Sequence, residues 1–371
     1  MKSKYRRHFL LDPTVAHLNH GAYGATPRSV LQRQWSWQRE TERRPVEFHA
    51  RRQEALLLEA RTPIARFLGA KVENTAFVVN STTAINWVAR SLPLGPGDEV
   101  LLNAHEYGAV WRCFRVLAQE RGFSLVQAPE GDLLAALQLA ASPQTRLVVV
   151  SHLTSPTAQC FDVESVGRWA RERGIWSLID GAHAPGHLPL TLDDLGVDFY
   201  VGNLHKWLWS PKGAAVLWVA PGSQGLIRPI FVSWGVEPPL PLIEPDWVAW
   251  VQMQATRDPS AFLASPSGLD YQTRYHEPWL ESHCWSRLER LSAQLEDLGA
   301  RPLPWFRPLK MRAFVWPFHH DPTQLQRQLL QRHGVEIPFY HWEGQLMFRV
   351  SMQHYVCDSE LERLLAGLSE S

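Results

Sequence analysis

Residues 176–213 read WSLIDGAHAPGHLPLTLDDLGVDFYVGNLHKWLWSPKG, and this stretch decides the fold. Two short apolar runs, WSLID (176–180) and DFYVG (198–202), are each followed by glycine-containing polar segments. Runs of that length, bounded by Gly, Pro and Asp, are strands. The first ends on Asp180 and the second runs into Asn203, His205 and Lys206. Outward from here the pattern recurs in AFVVN (76–80), EVLLN (99–103), SLVQA (124–128), RLVVVS (146–151) and AAVLWV (214–219). Amphipathic helical stretches lie between most of them, such as TTAINWVARSL (82–92) and VESVGRWARERG (163–174). Strands alternating with helices at this spacing predict an α/β fold, its mainly parallel sheet covered by helices on both faces.

The flanking regions differ in character. Residues 1–20 are expected to form an N-terminal arm, and 28–68 two helices separated near Pro45. The large domain is placed at 21–265. A proline-rich segment, VEPPLPLIEP (236–245), breaks the alternation, and a long helical stretch then runs to about Gly299. Residues 266–371 are expected to hold this linking helix and a small α+β domain. Within it MRAFVW (311–316), VEIPFY (335–340) and LMFRVS (346–351) form strands, and residues 322–334 and 358–368 form helices.

Composition narrows the function classes. Formal net charge is zero, so no whole-protein field favours nucleic acid or an anionic membrane. The basic run KSKYRRH (2–8) is short and suits a solvated arm. No window reaches transmembrane length, and the start lacks an apolar signal core. Four cysteines, at 113, 160, 284 and 357, lack the spacing of a zinc site or a disulfide framework. A cytoplasmic enzyme with no nucleic-acid or membrane partner is the expectation. His183 and His187 have the i, i+4 spacing of a metal motif, but Ala-Pro-Gly between them opposes the helix it needs. No metal site is expected.

In open α/β sheets ligands gather beyond the carboxyl ends of the strands. Only six lysines occur among 37 basic residues, and Lys206 alone is set among tryptophans. It is either a surface lysine whose stem packs on Trp207 or a desolvated amine able to form a Schiff base. Ser81 and Thr82 begin a helix, where hydroxyls serve as a phosphate cradle or as a plain N-cap. His105 and Tyr107 follow another strand and offer a ring to a flat ligand. Asp180 ends an apolar strand, a costly place for a carboxylate without a cationic partner. One cofactor needs all four together. Pyridoxal 5′-phosphate (PLP) requires a lysine, an acid for its ring nitrogen, anion donors and a flat group against its ring.

The two motifs LIDGAHAPGHLPL and DFYVGNLHKWLWSPKG closely resemble the class V aminotransferase superfamily of fold-type-I PLP enzymes. Within it the chain looks like the isopenicillin N epimerase-like group. LNHGAYGATP (18–27), FLGA (67–70), PGDEVL (96–101), HEYGA (105–109), VVVSHLTSPT (148–157), TRDPSAFLA (256–264) and FRVSMQHY (348–355) extend the likeness in the right order. The resemblance implies roles. Lys206 matches the Schiff-base lysine, Asp180 the partner of the ring nitrogen, and His183 the residue reaching the ring hydroxyl. Ser81, Thr82, Asn203 and His205 match phosphate-side contacts. His105 matches the ring-stacking residue, with Tyr107 as the alternative; epimerisation would need a second acid opposite Lys206, for which His105 and Tyr107 are the candidates. Arg349 matches the holder of the substrate α-carboxylate, and Asn19 and His20 an arm that approaches the substrate. Thr256 matches a phosphate contact from a neighbouring subunit, which implies a homodimer with active sites at the interface. Two positions depart from the pattern: His152 replaces an asparagine near the cofactor ring, and Ala255 replaces a glycine.

Epimerisation at the Cα of an amino acid is the first expectation. C–S β-elimination or another class V activity is the alternative, and a non-catalytic PLP-binding scaffold is a second one. The segment 333–349 has no cysteine ahead of Arg349, which disfavours a persulfide-forming desulfurase.

Overall fold

The computed structural model describes residues 4–236, 245–275, 278–304 and 307–370. All seven expected strands of the large sheet are present, with bounds that agree to within two residues. They are β1 Thr75–Val78, β2 Glu99–Leu102, β3 Ser124–Gln127, β4 Thr145–Ser151, β5 Trp176–Asp180, β6 Phe199–Asn203 and β7 Ala215–Val219. Their spatial order is β1-β7-β6-β5-β4-β2-β3. Neighbours are parallel except where β7 meets β1 and β6.

Side chains alternate across a strand, and here both faces are covered except at the edge strand β3. Phe77, Leu101, Val148, Ile179 and Val216 pack on one side with the helices Gln53–Phe67, Leu133–Ala140 and Val163–Glu172. Ala76, Val100, Val149, Leu178 and Leu217 pack on the other with Ser81–Ser91, Gly108–Arg121 and Asp246–Gln252. Burial on both faces is why these strands are nearly continuous apolar runs. Because β7 is antiparallel to both neighbours, β1 runs parallel to β6. The carboxyl ends of β1, β2, β4, β5 and β6 therefore share one edge.

Residues 28–68 form Arg28–Arg43, a short turn of helix from Pro45, and Gln53–Phe67. The stretch up to Gly299 is several helices, not one: Asp246–Gln252, Ser260–Leu263, Ser265–Tyr275 and Pro278–Asp297. Pro245, Pro259 and Pro278 stand at or just before helix starts, where a missing N–H costs nothing. Positions 237–244 of the proline-rich segment lie outside the described residues.

The small sheet comprises β8 Arg301–Pro302, β9 Met311–Trp316, β10 Phe339–Trp342 and β11 Gln345–Ser351, in the antiparallel order β10-β11-β9-β8. VEIPFY is split around Pro338. Val335–Glu336 pairs in parallel with Ala16–His17 instead of joining this sheet. The N-terminal arm thereby enters the small domain's core, where Phe9, Ala16 and Leu18 pack with Phe314, Phe348 and Leu364.

Candidate active site

A cleft of 440 Å³ opens at the shared edge of the strands. It is lined by Ser81 and Thr82 after β1, Tyr107 after β2, Ser155 after β4, Asp180 ending β5, and Lys206 after β6, with Arg349 from β11. Lys206 and Asp180 thus face one cavity.

Lys206 Nζ lies 3.1 Å from His183 Nε2. Burial, then the Arg349 guanidinium, pushes its pKa down from 10.5 to about 7, against the pull of Asp180. That is the desolvated amine, not the snorkelling surface lysine. Asp180 accepts the Ala182 N–H at 2.9 Å. Its burial raises its pKa, while that N–H and Lys206 oppose the rise. Glu106 shares this buried region and was missed in the sequence, where it sits between His105 and Tyr107. Ser151 Oγ donates to its Oε1 at 2.7 Å and the Tyr107 N–H at 2.8 Å. Burial, then repulsion from Asp180, pushes Glu106 up to about 8. A carboxyl in the loop just past an apolar strand was the signal that could have found it.

At the opposite end of the cleft, Asn80 caps the helix Ser81–Ser91 by accepting the Thr83 N–H at 2.8 Å. Ser81 and Thr82 are therefore not its caps. Ser81 Oγ is buried without a partner, and the Ser81 N–H is fixed by Asn203 Oδ1 at 3.0 Å. His205 turns Nδ1 to the Ala214 carbonyl at 3.2 Å, and burial pushes its pKa down to about 4. Lys212 also lines the cleft and donates to Thr26 Oγ1 at 3.3 Å. Orphaned hydroxyl, helix N-terminus and lysine lining one cleft are groups that suit an anion.

Arg349 is buried. It donates to the Ser155 carbonyl and Oγ and to Asn19 Oδ1, all neutral groups, and its Nε has no partner. A guanidinium so placed is ready for a carboxylate. Ser155 was missed although it lies in VVVSHLTSPT just past β4, because its importance comes from Arg349, 194 positions away.

Several expected residues lie elsewhere. His105 does not line the cleft. It stacks on Trp342 from the small sheet (centroids 5.5 Å apart, planes 12° apart) and lines a neighbouring cavity of 720 Å³, while Tyr107 faces the cleft. His20 does not face it either: it is fully buried, bonding Tyr355 Oη at 3.0 Å and the Lys206 carbonyl at 2.9 Å. It braces the lysine loop. Asn19 reaches Arg349, and Ala22 and Tyr23, just after the arm, reach the cleft wall. His152 bonds Tyr200 Oη at 2.8 Å and is not part of the cleft lining. Thr256 is exposed outside this cleft, and Ala255 before it has φ +110°, a conformation that explains a preference for glycine there.

The donor set fits PLP. Lys206 suits an aldehyde, Asp180 a ring nitrogen, and the Ser81–Thr82 end with its orphaned hydroxyl a phosphate. No cysteine lines the cleft.

Comparison with known proteins agrees. A family model described as aminotransferase class-V matches residues 23–235. An isopenicillin N epimerase of Streptomyces clavuligerus is 33% identical, the match covering 98% of this chain and 96% of that protein. One of Amycolatopsis lactamdurans is 34% identical over 98% and 97%. A putative L-cysteine desulfhydrase of Oryza sativa subsp. japonica is 29% identical over 74% of this chain and 60% of its own length. Among solved structures, C-DES with glycine covalently linked to the PLP cofactor superposes with a TM-score of 0.87 at 22% identity, covering 98% and 99% of the two chains.

Proposed function

Because this chain belongs to the class V aminotransferase family of PLP-dependent enzymes, we propose that it acts at the Cα of an amino acid as an epimerase. The observation that carries this reading is the meeting of a depressed-pKa Lys206, a buried Asp180 and an anion-free Arg349 in one cleft. PLP, when bound, supplies an aldehyde for the amine and a ring that takes up the electron pair left when Cα loses its proton.

The chain's own residues do the rest. Arg349 holds the α-carboxylate by its fork and so fixes which Cα substituent faces the lysine. Asp180, its carboxylate stabilised by the cationic ring nitrogen and not by the neutral lysine, would hold a proton there. The neutral Nζ of Lys206 takes the Cα proton. Inversion needs a second proton carrier on the other side. Lys206 follows β6 and Tyr107 follows β2, so they flank Asp180 in the strand order β6-β5-β4-β2. The half-exposed Tyr107 phenol is that carrier. Two relatives named as epimerases match nearly end to end, which supports the reading. β-Elimination from a cysteine derivative is the second reading, favoured by the desulfhydrase-named relatives.

The assembly we propose is a homodimer in which Thr256 of one protomer serves the phosphate end of the other's cleft. Borohydride reduction of PLP-loaded protein should fix the cofactor on Lys206; labelling at Lys212 refutes the assignment. Incubation with a panel of amino acids in deuterated water should exchange the Cα hydrogen with inversion. Tyr107→Phe should keep exchange and lose inversion. Release of pyruvate and sulfide without inversion selects the lyase instead, and no exchange with any substrate selects a scaffold.

A further inference from the structure

Trp207, directly after the lysine, has no role so far. Its indole is fully buried. The His187 ring lies against it with centroids 4.1 Å apart, His20 lies 5.0 Å away, and Lys310 Nζ is 5.8 Å from the ring. The turn that carries His183 is pressed against the same residue: a Cβ on Gly186 would fall 2.5 Å from the Trp207 carbonyl oxygen. The indole therefore cannot turn, and its Nε1–H is aimed at His183 Nδ1, 3.3 Å away.

An indole N–H donates and never accepts. His183 Nδ1 must then present a lone pair. Burial, with Lys206 and Arg349 nearby, keeps the imidazole neutral, and a neutral imidazole carries a single ring proton. That proton sits on Nε2, which faces Lys206 Nζ at 3.1 Å. A charged ammonium has no lone pair to receive it, so the lysine in this arrangement is a free amine.

We infer that Trp207 is a positioning residue: its indole N–H locks His183 as the Nε2–H tautomer and so gives the cleft a fixed hydrogen-bond donor beside Lys206. The functional sense of the lock rests on the PLP reading. Toward a ring hydroxyl, the contact the resemblance implies for His183, an N–H favours the deprotonated oxygen, whereas the other tautomer would oppose it with a lone pair. The two histidines of GAHAPGH thus hold one indole, His183 at its edge and His187 against its face.

The test is nitrogen-15 NMR of full-length, PLP-loaded protein labelled at histidine, with the His183 ring assigned by its loss in His183→Gln. The wild type should show the proton on Nε2 and a bare Nδ1. Trp207→Phe keeps an aromatic ring and removes the donor. Its tautomer ratio should move about five-fold toward Nδ1–H, the factor that one ordinary hydrogen bond sets. An unchanged ratio in the folded variant overturns the inference. So does a wild-type ring protonated on Nδ1, a result that needs no variant to fold. Should the protein take up no PLP, the tautomer is still read on the unloaded chain, so the lock and the cofactor reading fail separately.

Discussion

Replacing Lys206 by methionine, a chain of similar length without the amine, should alter how the cofactor-free protein's stability depends on pH. In the fold the Lys206 pKa is about 7, against an ordinary 10.5, chiefly because the amine is buried. The unfolded chain then binds more protons than the folded one between about pH 7 and 10.5, so stability rises with pH across that window. The contribution is fully present above the unfolded value and is lost as pH falls through the folded one. At about 1.36 kcal/mol per pH unit the whole window is worth on the order of 5 kcal/mol, and the interval from pH 7 to 9 about 2.5. Methionine removes the titrating group and also orphans the His183 Nε2–H, a cost of about 1–3 kcal/mol that does not vary across this range. The decisive quantity is therefore the slope. Urea unfolding of both cofactor-free proteins at pH 7, 8 and 9 should show the wild type gaining on Lys206→Met by about 2.5 kcal/mol. Parallel curves would mean the amine is solvated, and the depressed pKa on which the catalytic reading depends would fall with it.

Arg349→Ala should leave the visible spectrum of bound cofactor unchanged while weakening amino-acid binding about 100-fold, measured by spectral titration; a collapsed spectrum would place Arg349 around the cofactor instead. Glu106 has a folded pKa raised to about 8, so its contribution to stability is full below its unfolded value near 4.5 and is lost as pH rises through 8. Glu106→Gln should therefore gain on the wild type by on the order of 4 kcal/mol between pH 5 and 8, read by urea unfolding; equal slopes would refute the buried acid pair. Ala255 sits at φ +110°, where a side chain is strained by about 1–2 kcal/mol. Ala255→Gly should raise the free energy of unfolding by up to about 1 kcal/mol after glycine's entropy cost, and a lower value by urea unfolding would show that the turn is not strained.

The sheet was readable because strands covered on both faces spell themselves as uninterrupted apolar runs. Lys206, Asp180, His183 and Asn203 were readable for a related reason: they lie in two segments whose strands, β5 and β6, are immediate neighbours, so local sequence already juxtaposes them. What could not be read depends on distant chain. His105 and Tyr107 are two residues apart in one loop, and Trp342 from the small sheet decides between them by capturing the histidine ring. His20 is directed away from the cleft by Tyr355, 335 positions further on. Ser155 matters only because Arg349 reaches it. VEIPFY looked like one strand because no local signal announces that Val335 will pair with Ala16.

The attachment of the first twenty residues bears on how the polypeptide matures during synthesis. Arg6 meets Glu360 at 2.6 Å across 354 positions, and His20 and Asn19 seal onto the Lys206 carbonyl and Arg349. The arm leaves the ribosome 330 to 354 positions ahead of its docking partners in the small domain. At about 5–20 residues per second it waits roughly 20 to 70 seconds, long enough for the seven-stranded sheet to form without it. The lysine pocket is thus completed only once the strand that carries Arg349 has been made.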